Sequence, residues 1–106
     1  MPSSLSDNAS KVDAILITLA NIPSGKVSSY GDIAKRAGLP GLARYVAKIL
    51  KDLPDNSQIP WHRVINSQGK SSFPENSTLY FLQLSKLQEE GVLLSKSNIV
   101  PKKYFW

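Results

Sequence analysis

The segment "QIPWHRVINSQGK", residues 58 to 70, concentrates the side chains best suited to chemistry. It holds the chain's single histidine, His62, between Trp61 and Arg63, behind Pro60, whose ring fixes the local backbone. An imidazole beside a guanidinium is the usual company of a nucleophile: the histidine takes up a proton and the cation steadies developing charge. The nucleophile that such a pair would serve is missing. The chain contains no cysteine, which excludes thiolate catalysis, disulfides and cysteine-ligated zinc, and one histidine excludes a His-rich metal centre. Neither a metal nor an organic cofactor is expected.

The elements that must position this segment belong to a short, basic chain. At 106 residues a single domain spanning 1–106 is expected, large enough for a modest core. Apolar residues make up 42% and charged ones 20%, which are globular rather than disordered values. Thirteen Lys and Arg against eight Asp and Glu leave a formal charge of +5, favouring an anionic partner, with nucleic acid foremost. The longest apolar run, "AILITLA" at 14–20, is far short of a membrane span, so no membrane association is expected. The polar start "MPSSLSDNAS" has no export pattern, so a cytoplasmic chain is expected, with residues 1–9 a flexible leader.

Apolar residues recur at Val12, Ile15, Leu16, Leu19 and Ile22, predicting a helix from Lys11 to about Ile22 that Pro23 and Gly25 terminate. Lys26 to Ser28 suits a short strand. A second helix starts at "SSYGD", where Ser29 and Asp32 fit a capping box, and ends at Gly38. A third runs from about Leu42 to Leu53, and the tight connection makes the pair a helix-turn-helix. In the third helix Leu42, Val46, Ile49, Leu50 and Leu53 form one apolar stripe. Arg44, Lys48 and Lys51 fall on the opposite face, flanked by small Ala43 and Ala47, which permit close approach to a phosphate backbone. Beyond it, "WHRVI" reads as buried extended chain turning at Gly69. Ser77 caps a last helix through Glu90 that packs Tyr80, Phe81, Leu84 and Leu87, and "VLL" suits a strand. Residues 96–106 form a basic, aromatic tail whose Tyr104 to Trp106 are expected to pack on the core.

With these elements in order, "IPSGKVSSYGDIAKRAGLP", then Pro60-Trp61-His62-Arg63-Val64, then "EEG" with Glu90, the chain resembles the DNA-binding domain of O6-alkylguanine-DNA alkyltransferases over roughly residues 10–95. That family reads Pro-Cys-His-Arg-Val where this chain has tryptophan. The exchange is similar to that of the alkyltransferase-like proteins, which bind O6-alkylguanine without removing the alkyl group and pass it to nucleotide excision repair. The resemblance implies a mainly α, α/β winged helix-turn-helix fold that reads the minor groove.

It also implies roles. Trp61, at the nucleophile's position, has an indole whose N–H only donates, so no alkyl transfer is expected; its apolar face suits a lesion pocket with Tyr30, Arg63 and Val64. His62 and Glu90 correspond to the activating pair and are left as a vestigial relay. Arg63 suits a carboxylate or backbone carbonyls beneath the loop. Arg44 matches the arginine that enters the base stack as the damaged base leaves, Tyr30 the tyrosine beside the rotated phosphate. Ser29, Ala43, Lys48 and Lys51 complete the expected DNA contacts. Two departures stand out: Leu53-Pro54 replaces an Asn-Pro pair, and "SSFPENS" replaces a glycine-rich loop, leaving contacts from residues 71–77 undefined. The expected partners are double-stranded DNA carrying O6-alkylguanine and excision-repair proteins, met by a monomer. A hydrolytic enzyme using His62 and Glu90, and a winged-helix transcription regulator, are the alternatives.

Overall fold

Apolar periodicity near the N-terminus produces α1, Ser4–Ala20, in the computed structural model, which describes the backbone of residues 4–106 and side chains from residue 9 onward. Helix formation begins upstream of Lys11: of the leader expected over residues 1–9, residues 1–3 lie outside the described residues and Ser4 is already helical. The chain forms two compact units, one of residues up to 21 together with 30–59, the other of residues 22–29 together with 60–106.

In the first unit, α1 buries Ile15 and Leu19, one helical turn apart. The helix-turn-helix follows as α2, Tyr30–Arg36, and α3, Ala43–Lys51. A paired C-terminal motif stops α2: Leu39 N–H donates to the Ala34 carbonyl at 2.8 Å and Gly38 N–H to that of Lys35 at 3.0 Å. Gly38 sits at φ +79°, a conformation that only glycine adopts freely. Along α3, Val46 and Ile49 are buried while Arg44, Lys48 and Lys51 are exposed, as the stripe predicts. The helix is shorter than the Leu42–Leu53 expected from apolar spacing. Leu42 stands outside helical geometry at its N-cap, and Pro54 disfavours helical backbone at the residue before it.

The second unit holds the only named sheet among the described residues, β1, Ser28–Ser29, against β2, Val64–Ile65, paired in parallel with Ser28 opposite Val64 and Ser29 opposite Ile65. The tail extends this pairing on the far side of the strand segment. Val27 bridges Phe105 in parallel, its N–H donating to the Tyr104 carbonyl at 2.9 Å and its carbonyl accepting from Trp106 N–H at 2.8 Å. Val27, Ile65, Leu87, Val92 and Val100 form the buried cluster, with Leu94, Tyr104 and Phe105 packed against it. The tail's expected packing is therefore observed for Tyr104 and Phe105.

Helix α4, Thr78–Glu89, starts at Ser77, whose Oγ accepts from Tyr80 N–H at 3.2 Å as the cap predicts. It buries Gln83, Leu84 and Leu87, whereas Phe81, expected in the core, is 54% exposed. Two further expectations change. Trp61–Arg63 is one turn of 3-10 helix rather than extended chain, and only Val64–Ile65 is strand. Val92–Leu94 forms no strand; Val92 N–H instead closes the end of α4 on the Leu87 carbonyl at 3.0 Å. The turn at "NSQGK" forms as expected, with Gly69 at φ +85° and an ideal Cβ placed there only 2.5 Å from the Val100 carbonyl oxygen.

Candidate functional site

Glycine at the end of α4 decides where Glu90 points. Gly91, at φ +90°, lets its own N–H donate to the Gln88 carbonyl and that of Val92 to Leu87, which ends the helix with Glu90 as its C-cap. The Glu90 carboxylate then meets the 3-10 turn. Its Oε1 accepts from Gly25 N–H at 3.0 Å and Arg63 Nε at 3.0 Å. Its Oε2 accepts from Arg63 Nη2 at 2.7 Å and His62 Nε2 at 2.8 Å. Arg63 Nη1 donates to the Ile22 carbonyl at 2.8 Å, so the guanidinium is held on both sides.

Burial alone pushes the Glu90 carboxyl up, since its side chain is 15% exposed. The Arg63 bonds, then the Gly25 N–H and the His62 bond and charge, outweigh burial and hold it at about 2, against an ordinary 4.5. An ionised carboxylate only accepts, so His62 Nε2 carries the hydrogen in this contact. The sign of the pH effect follows. Between about pH 2 and 4.5 the unfolded chain binds the proton and the folded chain does not, so the Glu90 contribution to stability rises with pH across that window and is constant above it. The contribution is about 3 kcal/mol at neutral pH. Urea midpoints measured from pH 2 to 6 should show this rise in the parent and lose it in Glu90→Gln; equal slopes would show that Glu90 does not cause it.

Trp61 opens the same 3-10 turn and is partly exposed. Its indole meets the His62 ring edge-to-face at 6.0 Å and 85°, and the Phe73 ring likewise at 5.8 Å and 88°. Such contacts fix an indole in place while leaving part of its surface open. Phe73 is a site residue that sequence reasoning left undefined within residues 71–77. Its only signal was an aromatic in a polar loop, and loop conformation, not spacing, brings it to Trp61.

The remaining expected residues divide between the units. Trp61, His62, Arg63 and Glu90 come together in the second unit, as described. Val64 belongs there too but is 2% exposed, a core residue under the turn, and the Arg63 donors are engaged by Glu90 and Ile22. Both therefore build the support of the turn. Ser29 ends β1 and is partly buried. In the first unit Tyr30 opens α2, half-buried, and Ala43 opens α3. Arg44, Lys48 and Lys51 project from α3 without a hydrogen bond or ion pair to any described residue. Among the described residues no cluster of three or more His, Cys, Asp or Glu is placed to hold a metal ion, and no helix is long and apolar enough to cross a membrane.

Comparison with known proteins adds four findings. Residues 11–92 match the model of the 6-O-methylguanine DNA methyltransferase DNA-binding domain. The chain is 48% identical over 93 residues to a DNA base-flipping protein of Vibrio parahaemolyticus, covering 87% of this chain and 91% of that one. It is 40% identical over 93 residues to alkyltransferase-like protein 1 of Schizosaccharomyces pombe, covering 83% and 86%. Its structure is similar to the crystal structure of S. pombe Atl1 in complex with damaged DNA containing O6-carboxymethylguanine, with a TM-score of 0.80 at 35% identity over 92% of this chain and 95% of that one.

Proposed function

The chain belongs to the 6-O-methylguanine DNA methyltransferase DNA-binding family, in its alkyltransferase-like branch, and from that premise we propose that it is a non-enzymatic sensor of O6-alkylguanine in double-stranded DNA. One observation carries the reading: a tryptophan, not a cysteine, opens the turn whose His62 and Arg63 are both bonded to the Glu90 carboxylate. Dealkylation needs a soft ionisable acceptor, and indole has none. What Trp61 offers instead is a large apolar face, held by His62 and Phe73, against which an alkylated purine can pack.

In this reading α3 enters the minor groove of the duplex, with Ala43 allowing close approach and Lys48 and Lys51 neutralising phosphates. Arg44 replaces the damaged base in the stack, where a planar guanidinium stacks and donates to the orphaned partner base. Tyr30 and Ser29 hold the phosphate of the rotated nucleotide. Flipping costs least for a weakly paired guanine, which adds to selectivity. The lesion stays in place, so a monomer bound to it serves to recruit nucleotide excision repair proteins in the cytoplasm.

The test titrates the protein against matched duplexes carrying guanine or O6-methylguanine and then weighs both molecules by mass spectrometry. At least tenfold tighter binding to the lesion, with both masses unchanged, is the expected result. Methyl loss from the DNA under multiple turnover would make the protein an enzyme. Sequence-specific binding to undamaged DNA would make it a transcription regulator.

A further inference from the structure

Gln83 is a buried polar side chain on a helix face otherwise made of Leu84 and Leu87, at 1% exposure. Its Nε2 donates to the Val64 carbonyl at 2.8 Å and the His62 carbonyl at 3.2 Å. These two acceptors fix the amide's orientation, because the flipped amide would set oxygen against oxygen. The consequence is that Oε1 is buried with no hydrogen-bond partner among the described residues. A buried carbonyl left unpaired is costly, and a leucine here would remove it only by taking the donor from the His62 and Val64 carbonyls. The two donated bonds must therefore supply something that packing does not. Their acceptors flank Arg63, one inside the 3-10 turn and one at its exit into β2. Held at both points, the turn has one pitch, and the direction of Trp61 at its start follows.

We propose that Gln83 is a positioning residue for Trp61: by clamping the His62 and Val64 carbonyls it presents the indole to the alkylated base in one orientation. The proposal rests on the lesion-sensing reading, and its test separates the two. In a Trp106→Phe background Trp61 is the only tryptophan. Acrylamide quenching of Trp61 in the free protein, the melting temperature, and the Kd ratio between guanine and O6-methylguanine duplexes are then measured for Gln83→Leu and Gln83→Met. Gln83→Leu should raise quenching about twofold and reduce the Kd ratio at least fivefold, with affinity for the guanine duplex unchanged. Gln83→Met, which keeps the side-chain length and removes the donor, should shift both readouts in the same direction. A Gln83→Leu or Gln83→Met protein that melts lower yet keeps parental quenching and Kd ratio overturns the proposal. Should the parent itself not distinguish the duplexes, the sensor reading falls, and quenching in the free protein still decides the role of Gln83.

Discussion

Arg63→Ala should destabilise the folded chain by about 3–5 kcal/mol in urea denaturation, the largest effect expected of any single substitution in the turn. Three of the Glu90 carboxylate's hydrogen bonds come from this guanidinium, two of them to Oε2. Removing it leaves a largely buried carboxylate with only Gly25 N–H and His62 as donors among the described residues, and leaves the Ile22 carbonyl without the Nη1 bond. A domain of this size is stable by only about 5–15 kcal/mol, so the variant should be marginal at 37 °C and best measured cold. Arg63→Lys should recover less than half of the loss, since a point charge cannot span Glu90 and Ile22 as the planar fork does. Combining Arg63→Ala with Glu90→Gln should cost less than the sum of the two, because the second change removes the stranded charge. A loss under about 1 kcal/mol for Arg63→Ala, or strict additivity, would mean that the network is not what holds the turn.

The second large effect concerns binding. Arg44→Ala should weaken affinity for an O6-methylguanine duplex by about 10–100-fold, while Lys48→Ala costs about threefold or less. Both side chains project from α3 without partners among the described residues, so free charge alone does not distinguish them. What separates them is the proposed use. A phosphate contact is lost evenly from lesion and guanine duplexes and lowers the salt dependence of binding by about one unit of slope. A side chain that fills the vacated stack is lost mainly from the lesion complex. Measured over a range of salt, Lys48→Ala should therefore change the slope and spare selectivity, and Arg44→Ala should change selectivity. Equal losses on both duplexes for both variants would reduce Arg44 to a phosphate contact.

Local features were legible in the chain because the forces behind them act over a few residues. The stop of α2 at Gly38, the Ser77 cap of α4 and the turn at Gly69 each depend on one side chain or one positive φ. The apolar stripe of α3, and the cations opposite it, follow from a period of 3.6 residues. The helix-turn-helix was therefore readable, as was the family, whose motifs keep their order along the chain. The pairing of the short strands was not. A two-residue parallel pair such as Ser28–Ser29 with Val64–Ile65 has no periodicity of its own, and the tail's bridge to Val27 comes from a segment outside the matched residues 11–92.

The same division runs through the site. Residue types determined that no thiol chemistry is available, and the resemblance to the family's motifs put Trp61, His62, Arg63 and Glu90 in one site. Only tertiary structure decided how: which carboxylate oxygen takes which donor, that the Arg63 guanidinium is committed to Glu90 and Ile22, that Phe73 meets the indole, and that α4 buries Gln83 rather than Phe81. Helical spacing treats glutamine as a surface residue because it counts hydrophobicity. The fold buries it because two backbone carbonyls, one in the 3-10 turn and one at its exit into β2, 21 and 19 residues away in sequence, need a donor at that point.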